Sequence, residues 1–338
     1  MAAPLGFGQT QPVFESVRAG AFDAEAWNGV VFLARAFHQP ATFALRVGSQ
    51  HGGGFLDGNQ IFDAVSEVGP HAPDGSYCRM AWRQPPSEAQ VTLEWSHVDK
   101  TTVVGRLTAS SHFRLVLEAY FPNSSNWGSQ GFYHTDAKDQ AVLGQRFFDQ
   151  VFGPTAQFVV MVDRPLIASG TYPSVVQLDE TMRGSGRLTS SLAGEPNNGA
   201  AGIEFVTGAS ETAHFVAKIG WDRNTLLSEA HHLLQGGKID SILRERSAAY
   251  ARERPGVTGL FQGAAHAIGN SMFWNSLYAP SDNLIFPSIS RHWAHGWGGW
   301  VVGEWDCFFG ALLTSLEDTS QTEAGIKAIL LAQTSTGL

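Results

Sequence analysis

Two acids, Glu304 and Asp306, stand inside the run HGWGGWVVGEWDCFFGALL at residues 295–313, where almost every other side chain is aromatic, aliphatic or a glycine hydrogen. An ionised carboxylate among apolar groups costs several kcal/mol unless donors meet it, so this stretch demands a partner from protein or ligand. Read as a helix, the run aligns Trp305, Phe308, Phe309, Leu312 and Leu313 as an expected core stripe beside Asp306, with Gly310 four residues on. A glycine there leaves open space next to the carboxylate. Two roles stay open for Asp306: accepting hydrogen bonds from sugar hydroxyls at the bottom of a pocket, or favouring a helix N-terminus through the macrodipole. Glu304 points to another face of such a helix, so the two acids do not form a catalytic pair. Glycoside hydrolysis needs carboxyls about 5–5.5 Å apart for retention or about 6.5–9.5 Å apart for inversion, brought together from separate elements. No second acid in the chain has a setting comparable to that of Asp306.

Five of the ten tryptophans, Trp274, Trp293, Trp297, Trp300 and Trp305, fall within residues 274–305. Each ring has roughly 150–250 Å² to bury. They either cap an interface between a sandwich and helices or line a saccharide subsite, where flat rings stack on the C–H faces of a sugar. His292 and His295 are spaced i, i+3 near Cys307 and Asp306, but no third ligand stands at a recognised metal spacing. The pair His231–His232 reads as a solvated or half-buried helix pair. Arg291 has the fork to bind a substrate carboxylate, and an ion pair with Glu304 or Asp282 competes for it. There is no GxSxG elbow and no GxxxxGK[ST] loop, and GFGQTQ and GSGRLTSS lack the third glycine of a dinucleotide fingerprint. No cofactor and no metal is expected.

Composition narrows the partners. The chain has 338 residues, room for about two domains, and a formal net charge of -9 from 22 basic and 31 acidic residues. No basic stripe is present to neutralise phosphates, which excludes nucleic acid and anionic membrane as expected partners. With 16% charged residues, 37 glycines and 22 phenylalanines, the balance suits neutral polar ligands that stack on aromatic faces. Cys78 and Cys307 lie far apart without CxxC spacing, so neither a disulfide framework nor a zinc site is read from them, and the compartment stays open. No apolar run approaches a bilayer span. The start MAAPLGFGQT has neither a basic n-region nor a long h-region, so a signal peptide is not expected in this chain. The lone sequon Asn123-Ser124-Ser125 decides nothing.

Hydrophobic period divides the chain. From about residue 28 to 220 it is two, in short runs bounded by glycine, proline, asparagine and serine: GVVFLARAF, ATFALRVG, QVTLEWSHV, TTVVGRLTAS, FRLVLEAYFP, FVVMVDRPL, GRLTSSLAG, GIEFVTGA and TAHFVAKIGW. Many short strands without helices between them predict an antiparallel β-sandwich. After Trp221 the period becomes helical, with a polar start near Asn224, a break at Gly236-Gly237 and a stop at Pro255. TGLFQGAAHAIGNSMFWNSLYAP, WVVGEWDCFFGALLTSLED and TEAGIKAILLAQT read as three further helices. The expected organisation is a β-sandwich over residues 1–221, a helical linker over 222–257 and the start of an all-helical domain over 258–338. Three helices are too few for a large toroid, which makes the chain read as an N-terminal part.

At WVVGEWDCFFGALL the sequence resembles the W-D-x-F-F helix of the six-hairpin glycosidases, the (α/α)6-toroid enzymes of the glucosidase I, trehalase and mannosylglycerate hydrolase type. The mannosylglycerate-hydrolase-like group is the most similar, since its members can carry a β-sandwich, a helical linker and then the toroid. MFWNSLYAP followed by GGWVVGEWD is similar to that group's first toroid helices in order and spacing, while over residues 1–220 the likeness is architectural. The resemblance implies an inverting hydrolase of α-linked glucosides or mannosides, with an oligosaccharide or glycoside as partner. It implies that Asp306 and Trp305 line the subsite for the non-reducing-end sugar, with Trp274, Asn275, Trp297 and Trp300 as neighbours; Glu304 and Arg291 are further substrate-binding candidates from their own place in the sequence. The general acid and base are implied to lie on later toroid helices, beyond Leu338. Two other readings compete: a non-catalytic carbohydrate-binding module, and a helical-toroid polysaccharide lyase using Tyr278 and His292, which the acidic balance opposes.

Overall fold

The computed structural model describes residues 29–36, 39–58, 60–72, 75–121, 130–147, 155–189, 199–253, 258–260, 262–279, 284–287 and 304–333. Among them the strands run β1 (Val30–Ala36), β2 (Gln39–His51), β3 (Gly54–Leu56), β4 (Val65–His71), β5 (Cys78–Arg83), β6 (Gln90–Asp99), β7 (Thr102–Ala109), β8 (Phe113–Tyr120), β9 (Gln130–Asp136), β10 (Ala141–Phe147), β11 (Thr155–Val162), β12 (Leu166–Tyr172), β13 (Ala200–Thr207) and β14 (Thr212–Gly220). They form two antiparallel sheets, one ordered β1-β2-β8-β13-β12 with β3 on β2, the other β4-β5-β6-β7-β14-β11-β10-β9.

The sheets face each other across one aromatic core. Phe43 of β2 stacks on Phe158 of β11 with centroids 5.1 Å apart and planes at 20°. Trp82 Nε1 of β5 donates to Ser49 Oγ of β2 at 2.9 Å, and Ser49 Oγ donates to Gln84 Oε1 at 3.0 Å, so the indole N–H is satisfied inside the core. Burying one such ring contributes about 4–6 kcal/mol by area. The outer faces are covered as well, which explains why strands such as β8 are buried almost throughout and why period two is blurred in them.

A helix the strand pattern leaves out, α1 (Val175–Ser185), lies on the outer face of the first sheet. Ser174 Oγ caps it by accepting from Gln177 N at 3.3 Å, and Gly186 closes it at φ 67, a backbone conformation that favours glycine. The expected strand GRLTSSLAG therefore begins as the end of α1, and its residues 190–194 lie outside the described residues. The second sheet is covered by α2 (Arg223–Leu234), capped by Asp222, and α3 (Lys238–Glu253). Leu226, Ala230, Ile239 and Leu243 pack there against Val104, Leu143, Val159, Met161 and Val216. Gly236 and Gly237, at φ 69 and 70, make the sharp turn between the two helices.

Beyond α3 the expected long helix ends early. α4 (Ala264–Phe273) stops at Trp274, and the chain then forms the antiparallel pair β15 (Ser276–Ala279) and β16 (Leu284–Pro287). The cause lies in Trp274, whose ring enters the sandwich core. α5 (Glu304–Thr314) and α6 (Thr319–Ala332) complete the described helices. No described helix is long and apolar enough to cross a membrane.

Candidate functional site

α5 and α6 form a close hairpin. Asp318 caps α6 by accepting from Ser320 N at 2.8 Å and Gln321 N at 3.1 Å. A Cβ on Gly325 would meet Ala311 Cβ at 3.8 Å, and Thr314 and Thr322 hydroxyls stand 3.2 Å apart, so small and hydroxyl side chains bring the two backbones together. Phe286 of β16 and Ala328 of α6 fill the junction with the strand pair.

The buried face of α5 is Cys307, Gly310, Ala311 and Thr314. The stripe expected in the core is on the other side: Trp305 is 71% exposed, and Phe308, Phe309, Leu312, Leu313 and Leu316 are exposed with it. At about 100° per residue, Asp306 falls between the two faces. It is half-buried, and no hydrogen bond or ion pair joins it to another described residue. A carboxylate that meets no donor among the described residues, beside an exposed indole, suits a ligand that carries hydroxyl donors on one side and C–H groups on the other.

The other expected site residues are placed differently. Trp274 is 1% exposed. Its Nε1 donates to Gly69 O at 2.8 Å, and its ring meets Trp95 at 5.9 Å and His71 at 4.9 Å, both edge-on. It anchors α4 in the sandwich, with no ring face left for a sugar. Asn275 is half-buried, and its Nδ2 donates to Ser271 O at 2.6 Å. Glu304 is the first residue of α5. Arg291, Trp297 and Trp300, like Trp293, His292 and His295, lie outside the described residues. Among the described residues no three His, Cys, Asp or Glu side chains gather to hold a metal ion.

Two charged networks were not legible as sites. Under α1, Arg46 Nε donates to Glu118 Oε2 and Arg46 Nη2 to Asp179 Oδ2, each at 2.5 Å, while Asp57 pairs with Arg183 at 2.5 Å. Burial pushes the Glu118 carboxyl up to about 8 and that of Asp179 up to about 6, against the pull of Arg46. Burial also works against the Arg46 charge, but Glu118 and Asp179 outweigh it and hold the guanidinium protonated. On the second sheet a cross-strand row runs Glu94–Arg106–His214, and Asp240 of α3 pairs with both Arg106, at 2.8 Å, and His214, at 3.2 Å. Glu94, Arg106 and His214 stand isolated within QVTLEWSHV, TTVVGRLTAS and TAHFVAKIGW, so only the cross-strand register brings them into a row.

No protein-family model matches the chain, and no curated protein does. Solved structures match in part. A bacterial glucoamylase complexed with acarbose is 11% identical over 77% of this chain and 41% of its own, with a TM-score of 0.47. The family GH92 inverting mannosidase of Bacteroides thetaiotaomicron is 11% identical over 80% and 40%, with a TM-score of 0.38. A putative kojibiose phosphorylase from human microbiome is 8% identical over 68% and 31%, with a TM-score of 0.36. The chain thus spans less than half the length of each, and likeness at this level does not assign it to a family.

Proposed function

We propose that this chain is the N-terminal portion of an inverting α-glycoside hydrolase: a β-sandwich, a helical linker and the first helices of an (α/α)6 toroid. Asp306 and Trp305 hold the non-reducing-end sugar, the carboxylate accepting from its hydroxyls and the indole stacking on its C–H face. The observation that carries this reading is the placement of Asp306 at the seam of α5, half-buried, unpaired with any described residue and next to the exposed Trp305. The W-D-x-F-F run and the order of sandwich, linker and helices support it. The acid that protonates the leaving oxygen and the base that activates water belong to segments outside these 338 residues. The exposed apolar stripes of α5 and α6 pack against the helices that bring them.

The test is the protein expressed with whatever follows Leu338 in its reading frame, assayed on α-linked glucosides and mannosides, with the product anomer followed by NMR. Release of sugar with inverted configuration is expected. Intact glycan with measurable affinity would favour a binding module instead, and a frame that ends at Leu338 with no glycan affinity would end the proposal.

A further inference from the structure

We propose that His214 is a proton-operated latch that seats the first turn of the linker helix α3 on the sandwich, independently of the glycosidase reading. The geometry carries it. His214 Nδ1 lies 2.7 Å from Asp163 Oδ2 and Nε2 lies 3.2 Å from Asp240 Oδ2, so each ring nitrogen faces a carboxylate from a different element. Either neutral tautomer turns a lone pair toward one of those carboxylates. The doubly protonated ring alone presents N–H to both. Nε2 faces Asp240 Oδ2 at 3.2 Å, and this half of the latch, chiefly charge attraction, weakens when the ring loses its proton.

Asp163 cannot yield, because it also accepts from His214 N at 2.8 Å and donates its own N–H to His214 O at 3.0 Å. Asp240 can: it is the third residue of α3, directly after the left-handed turn at Gly236 and Gly237, where the chain has a built-in hinge. The charged groups around the ring are Asp163 and Arg164 from the turn after β11, Arg106 from β7 with Glu94 behind it on β6, and Asp240 from α3. Arg106 keeps a hold on Asp240 when the ring is neutral, so loss of the proton loosens the first turn without detaching the helix. The far end of α3 carries the change onward, since Tyr250 packs on Tyr77 at 6.2 Å and donates to Asn270 Oδ1 of α4 at 3.2 Å. The Asp163 hydrogen bond, opposed by burial and assisted by Asp240, raises the His214 pKa above its ordinary value, so the latch stays closed to higher pH than an ordinary histidine would allow and opens as pH climbs further.

Hydrogen exchange of the 338-residue chain, read by mass spectrometry on peptides over residues 236–246 and corrected for intrinsic chemistry, tests this. Protection of the first turn of α3 should fall about fivefold or more between about pH 6 and pH 9. His214→Gln should show the low, alkaline protection at every pH. NMR titration of the His214 ring in the unaltered chain gives an arm that needs no variant: its midpoint should lie above about 6.5. Protection that is flat with pH in the unaltered chain, pH dependence that survives in His214→Gln, or a ring midpoint at or below the ordinary value would each overturn the proposal.

Discussion

The indole N–H of Trp274 donates to the carbonyl of Gly69 at 2.8 Å, closing a contact across 205 residues of chain. It ties the first helix after the linker to β4, and the edge-on contacts with Trp95 and His71 fix the ring's orientation. Replacing so large a buried ring by alanine opens a cavity. Trp274→Ala should therefore destabilise the chain by about 3–5 kcal/mol in denaturant unfolding. Unchanged stability with weakened glycan binding would instead return Trp274 to the sugar site.

Arg46 sits between Glu118 and Asp179 with almost no access to water, and deleting it would leave two buried carboxyls without the cation and the donors that satisfy them. Arg46→Met should cost about 3–5 kcal/mol, more than Glu118→Gln, which removes the titrating group while keeping the shape and an acceptor oxygen. The pH dependence has a definite sign. Both carboxyls are raised in the folded protein, Glu118 to about 8 and Asp179 to about 6, from about 4 in the unfolded chain. The native state therefore binds more protons across that window, and its stability is greatest at the acid end and declines as pH climbs through it. Thermal melts between about pH 5 and pH 8 should show this decline, and Glu118→Gln should flatten it. An unchanged slope in the variant would place the titrating group elsewhere.

The sandwich is legible because hydrophobic period two survives in strands such as QVTLEWSHV, and the linker because the polar start near Asn224, the double glycine and the leucines of α2 are strong local signals, although the cap itself is Asp222. α1 escapes notice even though Ser174, Val175, Leu178, Met182 and Gly186 form a capped helical pattern, because strand-like runs on both sides of it dominate the local period. The end of α4 has no local signal: a tertiary contact, the seating of Trp274 in the sandwich, stops that helix. On α5 the periodicity predicts a helix, but hydrophobicity alone assigns the wrong face to the interior. Close approach to α6 selects Gly310, Ala311 and Thr314 for the contact, and leaves the large side chains outside.

That reversal of faces on α5 has a measurable counterpart. The doubly substituted chain Phe309→Ser, Leu312→Ser should keep its stability within about 0.5 kcal/mol, because both side chains are already in water. It should also self-associate less and bind less of a hydrophobic dye. Ala311→Leu, on the buried face, should destabilise by about 1–3 kcal/mol through overpacking against α6. If the Phe309 and Leu312 changes prove the costly ones, the stripe is interior and α5 is turned the other way about its axis.

Asp306 and Trp305 permit a separation of binding from folding that few core residues allow. Neither supports the described structure through a hydrogen bond, and Trp305 is largely in solvent, so Asp306→Asn and Trp305→Ala should each leave the melting transition of the chain within about 0.5 kcal/mol of the original. Their effects should fall on sugar instead. Asparagine keeps one acceptor oxygen but gives up the charge that strengthens bonds from hydroxyls, and alanine removes the stacking face, each worth roughly 1–3 kcal/mol or about tenfold or more in affinity. Calorimetry with glucose and mannose on the protein expressed with whatever follows Leu338 in its reading frame would measure this. Affinity that is indifferent to both substitutions would mean that the acid held the helix N-terminus and the indole met another protein surface.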